Sequence, residues 1–312
     1  MTAIEGVGTY VPRATIDAET VGEAWDGFRA HGIEQKRVAG ADEDAVTMAV
    51  EAAKAALSDA ERSRSAVETL AVGTTTPPVD EGEVGATVAE VLGLSRETET
   101  LVHTGSTRAG TRALVAGVRA DGPALVVAAD SPLAPPDDAL DHAAGAGAVA
   151  LLLGGDGAAS VVETASFSRE FPGTRFRRRG GDGVEGYGAT AYDREAYTTL
   201  VSGAVDGLAE APDALAPTAP DGGLPARAGR AVGAKTYHMA DSLGDTGAAS
   251  PLFGLVAAWA DGADSIAVVG TGDGADAVAV EGRLPVATDW PGEPVTYAEY
   301  LRLRGHVVGG DH

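Results

Sequence analysis

Residues 34–49 read Glu-Gln-Lys-Arg-Val-Ala-Gly-Ala-Asp-Glu-Asp-Ala-Val-Thr-Met-Ala, and this stretch leads into a helix. Asp44 is placed to cap that helix, because a short carboxylate accepts hydrogen bonds from the first free N–H groups. Beyond Asp44, apolar side chains recur at intervals of three and four residues, which is the spacing of one buried helix face. They are Val46, Ala49, Val50, Ala53 and Leu57. The stretch therefore predicts an amphipathic helix packed on a core.

Short apolar runs lie on both sides of this helix, bounded by turn residues. They are nearly uninterrupted, as strands covered on both faces must be, and they alternate with helical patterns. The predicted strands are 70–73, 124–129, 148–153, 159–162, 265–269 and 277–280, and the further predicted helices are 84–92, 106–118, 191–208, 222–232 and 248–259. This alternation predicts an α/β protein.

The order of elements suggests an internal duplication. A run of β, α, β, α, β, α, β, β covers residues 1–165, and a weaker run of the same kind covers 166–280. Each half ends in a strand, a Gly-Asp-Gly turn and a second strand, which predicts a hairpin. Residues 169–188 contain six glycines and predict a long loop. The interpretation is one compact body of two halves with a tail at 281–312.

The charge balance constrains the partners. Lys+Arg number 23 and Asp+Glu 46, so the formal net charge is −23, and only three of the basic residues are lysines. Such a surface repels phosphate backbones and anionic lipids, so neither nucleic acid nor a membrane is expected as a partner. An acidic, lysine-poor surface is typical of a halophile's protein, although an acidic protein from ordinary cytoplasm is the alternative. With no apolar run long enough to span a membrane and no secretory signal, a cytoplasmic location is expected.

The chain contains no cysteine, which excludes disulfides, thiolate metal sites and a cysteine nucleophile. No pair of histidines has the helical spacing of metal ligands, and no carboxylate cluster accompanies them, so no metal site is expected. No resident cofactor is expected either.

The block 34–49 resembles the N-terminal signature of archaeal and bacterial hydroxymethylglutaryl-CoA synthases, members of the thiolase superfamily. Further similar segments follow in the family's order and extend to about residue 280; they are 6–13, 72–78, 138–140 with 144–154, and 270–277. The resemblance implies the duplicated five-layer thiolase fold, with two mixed sheets and helices on both faces.

The family's chemistry uses a cysteine nucleophile, a glutamate acid/base and a histidine that orients the second substrate. Anchoring on residues 109–114 puts the nucleophile position at Thr107, or at Ser106 if the alignment shifts by one. The glutamate position holds Thr75 and the histidine position Thr218, while Gly244-Asp245-Thr246 places Asp245 where the family has asparagine. A threonine hydroxyl needs an adjacent base to attack a thioester, so the family's condensation is not expected here.

Other residues offer weaker candidates. His103 precedes the helix that carries Thr107, and His238 precedes Asp245, but both are interpreted as structural. Four arginines, Arg175, Arg177, Arg178 and Arg179, stand together in the glycine-rich segment. In the resembling family this segment lies near the CoA entrance, so Arg177, Arg178 and Arg179 are candidate CoA-binding residues for a coenzyme A thioester. The alternative is a solvated loop whose arginines pair with carboxylates.

Two hypotheses remain open for the function. The first is a catalytically degenerate synthase-like protein that binds acyl-CoA or serves as a scaffold with a thiolase and a zinc-ribbon/OB-fold protein. The second is an active acyltransferase or condensing enzyme that uses a non-cysteine site, so whether the chain is an enzyme is left undecided.

The expected assembly comes from the same resemblance. It implies a homodimer that pairs the edge strand at 98–104. In the tail, Thr296 and Glu299 predict a short capped helix, whose face with Tyr297, Tyr300 and Leu301 is expected to dock either on the dimer or on a heterologous partner.

Overall fold

The computed structural model describes residues 1–172, 175–181, 183–186 and 190–307. The strands are β1 (Thr2–Tyr10), β2 (Ala14–Asp17), β3 (Gln35–Val38), β4 (Thr69–Gly73), β5 (Glu99–His103), β6 (Ala124–Asp130), β7 (Gly147–Gly154), β8 (Ala159–Pro172), β9 (Arg175–Phe176), β10 (Glu185–Gly186), β11 (Ala214–Pro217), β12 (Lys235–Thr236), β13 (Ser265–Gly282) and β14 (Glu293–Pro294). The helices are α1 (Ala18–Ala24), α2 (Ala45–Asp59), α3 (Gly85–Leu92), α4 (Ala109–Val118), α5 (Ala139–Ala143), α6 (Thr190–Val205), α7 (Leu224–Val232), α8 (Ala240–Leu243), α9 (Ser250–Ala260) and α10 (Tyr297–Leu303).

The central feature is a nine-stranded mixed sheet with the order β12-β11-β13-β8-β1-β7-β6-β4-β5. The first half contributes β1-β7-β6-β4-β5 and the second β8-β13-β11-β12, so the two halves run outward in the same manner from β1 and β8. The two expected sheets are joined edge to edge, because β1 and β8 pair antiparallel at Thr2–Val161, Ala3–Ser160 and Ile4–Ala159. The predicted α/β class and duplicated fold are confirmed.

The two predicted hairpins differ. Strands β7 and β8 follow one another in the chain, yet β1 lies between them, so the first hairpin prediction is wrong. The second is correct. Gly282 ends an extended segment of 18 residues, and its N–H donates to Asp264 O, just before the start of that segment, at 2.8 Å. The segment therefore doubles back on itself, and Gly274 takes a positive φ of 90° at the reversal.

Three of the four clusters of buried apolar residues in the described part of the chain define the layers. One cluster joins α2 and α3 to the outer face of the first-half strands, and another joins α6 and α7 to those of the second half. The largest lies between the two sets of strands around α4 and α9. Helices, strands, helices, strands and helices thus make five layers, as the resemblance implied.

Helix α2 has the capping predicted from the sequence. The Asp44 carboxylate accepts from Thr47 N–H while the Thr47 hydroxyl accepts from Asp44 N–H, a reciprocal pair that satisfies two free donors. The helix packs on β1 so closely that a Cβ at Gly8 would lie 2.2 Å from the Ala52 carbonyl oxygen. Only glycine at position 8 lets α2 and β1 pack this closely.

The interpreted half-boundary at residue 165 falls inside β8, and the division into halves remains an interpretation. The segment 169–188 is less irregular than the predicted loop. Strand β8 continues to Pro172, and β9 pairs antiparallel with β10. Residues 173, 174, 182 and 187–189 of that segment lie outside the described residues.

The face of the tail helix packs on the body of its own chain. Helix α10 begins at the predicted Thr296–Glu299 capping box, but Tyr300 is completely buried. It packs with Ile16, Val21 and Val38 of the first half. Of the two expected docking sites for this face, the structure has the one on the protein itself. No helix of the described residues is long and apolar enough to cross a membrane.

Candidate functional site

Asp130 organises the loop that follows β4. This carboxylate ends β6, is fully buried, and accepts from the hydroxyls of Thr74 (2.9 Å), Thr75 (2.8 Å) and Thr76 (2.9 Å). It also accepts from the backbone N–H groups of Thr75, Thr76 and Ala248. Six donors on one carboxylate fix the position of Thr75, because each satisfied bond at a buried charge is costly to lose. The predicted glutamate position is thus part of a rigid hydroxyl and amide network.

Thr107 and Thr218 meet through a third residue, Thr271, in the β13 reversal. The Thr107 hydroxyl donates to Thr271 O at 2.6 Å, and the Thr218 hydroxyl accepts from Thr271 N–H at 2.9 Å. Tyr197 supports this arrangement from α6 by donating its hydroxyl to Thr218 O at 2.5 Å. The proton of the Thr107 hydroxyl therefore points at a peptide carbonyl, which is not a base.

Asp245 is paired with Arg175. The Arg175 guanidinium donates to Asp245 Oδ2, and Gly247 N–H donates to Asp245 Oδ1 at 2.8 Å. Burial lowers the pKa of Arg175 to about 10 against the opposing charge of Asp130. Gly247, with φ of 55°, allows this approach, because a Cβ there would lie 2.1 Å from Asp130 Oδ2 and 2.7 Å from Arg175 Nη2. The buried guanidinium of Arg175 therefore lies close to two buried carboxylates, those of Asp245 and Asp130.

A cavity of about 220 Å³ brings part of the predicted site together. Thr75, Thr107, Ser106, Arg175 and Arg177 line it, whereas Thr218 and Asp245 do not. The Ser106 hydroxyl has no hydrogen-bond partner among the described residues. Polar side chains and both arginines border this space, so it is not the apolar tunnel that an acyl chain would favour.

The candidate CoA-binding arginines separate in space. Arg177 is exposed and borders the cavity. Arg178 is also exposed, but it forms an ion pair with Glu185 at 3.0 Å and lies over the Phe176 ring. Arg179 is exposed. The ion pair between Arg178 and Glu185 agrees with the alternative interpretation, a solvated loop whose arginines pair with carboxylates, but only for Arg178.

The histidines have the structural environments expected of them. His103 makes no hydrogen bond to Ser106 or Thr107, and burial together with Arg112 lowers its pKa. His142 stacks on Phe28 at 5.2 Å and accepts from Arg29 N–H at 3.0 Å, as a packing residue does. His238 Nδ1 accepts from Ala240 N–H at 3.3 Å.

Sequence reasoning missed Asp130 and Thr271. A signal existed for Asp130, because an acidic residue directly after the apolar run 124–129 must be paired or hydrogen-bonded if the strand is buried. The sequence carries no signal for Thr271, because its backbone O and N–H, and not its side chain, make the hydrogen bonds to Thr107 and Thr218.

No protein-family model matches this chain. Among curated proteins, it is 31% identical over 295 residues to the hydroxymethylglutaryl-CoA synthase of Methanopyrus kandleri, covering 86% of this chain and 83% of that protein. It is also 31% identical over 336 residues to the synthase of Pyrobaculum neutrophilum, covering 95% of each.

Solved structures agree on the fold. The chain is similar to MvaS in complex with 3-hydroxy-3-methylglutaryl coenzyme A, with a TM-score of 0.79 and 19% identity over 97% of this chain and 91% of that one. The 3-oxoacyl-[acyl-carrier-protein] synthase III of Aquifex aeolicus gives a TM-score of 0.78 and 18% identity over 90% of this chain and 100% of that one. The sequence relatives define the narrower group: this chain belongs to the hydroxymethylglutaryl-CoA synthase family.

Proposed function

We propose that this chain is a non-condensing member of its family, which binds an acyl-CoA thioester and serves as a scaffolding subunit. The observation that carries the proposal is the hydrogen bond from the Thr107 hydroxyl to Thr271 O. A hydroxyl nucleophile must give its proton to a base as it attacks, and this proton is held by a peptide carbonyl. The resemblance assigns the histidine and glutamate positions to Thr218 and Thr75, whose hydroxyl oxygens are too weakly basic to take that proton.

The electrostatics of the site support the same proposal. Condensation by this superfamily develops negative charge on a thioester oxygen, which donors and positive dipoles stabilise. Here Asp130 and Asp245 place two carboxylates next to the cavity, and Arg175 is already engaged by Asp245. An oxyanion formed beside these groups would be repelled.

Unpaired arginines support the binding of CoA phosphates. Arg177 and Arg179 have no hydrogen-bond or ion-pair partner among the described residues, in a chain where acidic residues outnumber basic ones. A second group, Arg194, Arg227 and Arg230, is equally free in the described structure and lines a cleft of about 380 Å³ with His31. Guanidinium groups suit phosphates because they present a rigid fork of donors.

The alternative is an active acyltransferase that uses a hydroxyl, and Ser106 is the observation that favours it. Its side chain borders the cavity, and its oxygen is free of hydrogen bonds among the described residues. It would still need a base, and His103 makes no hydrogen bond to it.

Intact-mass measurement after incubation with acetyl-CoA separates the two proposals. We expect no mass gain. A gain of one acetyl group that disappears in Thr107→Ala or in Ser106→Ala would overturn the non-condensing proposal and identify the nucleophile.

Calorimetric titration with CoA tests the binding. We expect binding that weakens when arginines are replaced by glutamine in one of the two groups, 177/179 or 194/227. An absence of CoA binding by the unaltered chain would overturn this part. The proposed partners, a thiolase and a zinc-ribbon/OB-fold protein, are tested by co-purification with this chain in molar KCl, where the absence of any complex would contradict the scaffolding role.

A further inference from the structure

Arg304, at the end of the tail helix α10, joins the tail to two segments of the first half. Its side chain is 3% exposed, and one nitrogen, Nη2, donates both to Pro132 O at 2.5 Å and to Asp141 Oδ1 at 2.9 Å. Arg304 and Pro132 lie 172 positions apart in the sequence. A buried charged donor holds its acceptors in place, because the loss of either bond leaves a polar group without a partner.

The first acceptor belongs to the segment that carries Asp130. Pro132 follows Asp130 by two residues. Between them, Ser131 donates its N–H to the Thr76 hydroxyl at 3.0 Å. The Asp130 carboxylate in turn fixes Thr75, which lines the cavity of the candidate site. A displacement of Pro132 is therefore passed to the threonines that border this cavity.

The arginine-rich segment rests on the next residue of the same segment. Leu133 O accepts from Val184 N–H at 2.7 Å. Val184 also lines the cavity beside Thr75 and Thr107. Residues 130–133 thus support two different parts of the cavity wall, and Arg304 is bonded to the middle of this support.

The second acceptor leads to the other buried carboxylate of the site. Asp141 lies in α5, and the last residue of that helix, Ala143, accepts from Asp245 N–H at 2.7 Å. Asp245 pairs with Arg175, which lines the same cavity. The two acceptors of one guanidinium group therefore lie on the two segments that hold both carboxylates of the site.

We propose that Arg304 is a positioning residue for the acyl-CoA site, so that binding of the thioester requires the docked tail. Arg304 acts through Pro132 and Asp141 and not on the ligand itself. The inference rests on the proposed function, because the site that it positions is the one assigned there to an acyl-CoA thioester. It adds helix α10 to the elements on which that site depends.

Three variants of the full chain test the inference. Arg304→Gln removes the charge and shortens the side chain. Arg304→Lys is the milder variant, since it keeps a cation near Asp141 on a shorter side chain and remains informative if the glutamine variant does not fold. Val21→Ala is the control: Val21 is completely buried in the apolar cluster with Tyr300, so its truncation weakens the packing of the tail and leaves both bonds of Arg304.

Amide hydrogen exchange without ligand, followed by mass spectrometry, measures the positioning directly. We expect peptides with Thr75, Thr76 and Ala248, whose N–H groups donate to Asp130, to exchange at least about tenfold faster in Arg304→Gln and about threefold faster in Arg304→Lys. The reference is β11 in the second half, which reports opening of the whole fold. In Val21→Ala the site should not accelerate relative to β11. Equal acceleration of the site and of β11 in the Arg304 variants would overturn the inference, because it indicates only a weakened fold.

Calorimetric titration with CoA in molar KCl connects the positioning to the ligand. We expect the Kd for CoA to rise at least about fivefold in Arg304→Gln and to stay within about twofold in Val21→Ala, because a site that must first be ordered binds more weakly. An unchanged Kd in Arg304→Gln would overturn the inference. If the unaltered chain does not bind CoA, the proposed function fails, and the exchange rates still decide whether Arg304 holds the two segments in place.

Discussion

Arg175 and Asp245 form a buried ion pair, and Asp245 stands at the position that the resemblance assigns to an uncharged asparagine. A carboxylate placed in this interior requires a cation beside it, because an unpaired buried charge loses its hydration without compensation. The two residues lie 70 positions apart, one in the arginine-rich segment and one in the turn before α9. The pair therefore ties that segment to the body of the protein.

Replacing one member of this pair is expected to destabilise the fold. Asp245→Asn leaves Arg175 buried with only the longer-range charge of Asp130, and we expect a loss of about 3 kcal/mol in the free energy of unfolding. The double variant Arg175→Met/Asp245→Asn is the control, since it removes both charges and should recover most of that loss. Denaturant unfolding measures both, and a double variant that is no more stable than Asp245→Asn would contradict the pairing.

The contact between α2 and β1 gives a steric prediction. Gly8→Ala would place a Cβ 2.2 Å from the Ala52 carbonyl oxygen, so helix and strand would have to separate. We expect a loss of about 3 kcal/mol or more, at the upper end for overpacked sites. Gly155→Ala is the matched control, because nothing lies within 4 Å of its added Cβ, and it should change stability by less than about 0.5 kcal/mol. Equal stability of the two variants in urea would refute the argument.

Local signals were sufficient for much of this architecture. The Asp44 cap and the Thr296–Glu299 capping box depend on residues three positions apart, and the structure has both. The first Gly-Asp-Gly signal correctly marks a reversal of the chain. A local signal does not show which strands become neighbours, so the position of β1 between β7 and β8 could not be predicted. Similarly, the bond from Thr75 to Asp130 joins residues 55 positions apart. Only the folded sheet brings them together.

Acid is expected to destabilise the protein through its histidines. Burial lowers the pKa values of His103, His142, His238 and His306 below the ordinary value of 6.5. Between the lowered values and 6.5 the unfolded chain binds more protons than the native one, so the contribution of these histidines to stability is full above about pH 6.5 and is lost as the pH falls from 6.5 through the lowered values. Thermal unfolding from pH 7.5 to 5 at constant salt measures the loss. His142→Gln should reduce this slope and exposed His31→Gln should leave it unchanged, whereas equal slopes in all three proteins would contradict the assignment.

The edge strand β5 is expected to pair with its own copy in a homodimer. It ends the nine-stranded sheet and is only half-buried, and an unpaired edge is a template for further strand pairing. Light scattering in molar KCl should give twice the 31.2 kDa of the chain. Successive N–H groups of a strand point to opposite sides, so one of Thr100 and Leu101 donates outward and the other donates to β4. Proline has no N–H, so whichever of the variants Thr100→Pro and Leu101→Pro removes the outward donor should be monomeric. A monomeric unaltered chain would refute the prediction.

A buried polar cluster holds the tail on the body of the protein. Lys36 donates to Asp141 O and, at 2.8 Å, to the Tyr300 hydroxyl, while Arg304 donates to Asp141 Oδ1 at 2.9 Å. Burial lowers the pKa of Lys36 to about 7 against the opposing charge of Asp141. Arg304 and Lys36 hold the pKa of Asp141 below its ordinary value, although burial alone would raise it.

Deleting the residues after Pro285 removes Tyr300 and Arg304 together and leaves Lys36 and Asp141 without two of their partners. We therefore expect the truncated protein to lose about 3 kcal/mol or more of its free energy of unfolding. Tyr300→Phe is the milder variant: it keeps the ring packed on Ile16 and Val38 and removes only the hydroxyl, at an expected cost of about 1–3 kcal/mol in urea unfolding. Arg302→Gln, an exposed residue of the same helix, is the control and should change stability by less than about 0.5 kcal/mol. If the truncated chain unfolded at the same urea concentration as the full one, the tail would be a detachable appendage and this account of it would be wrong.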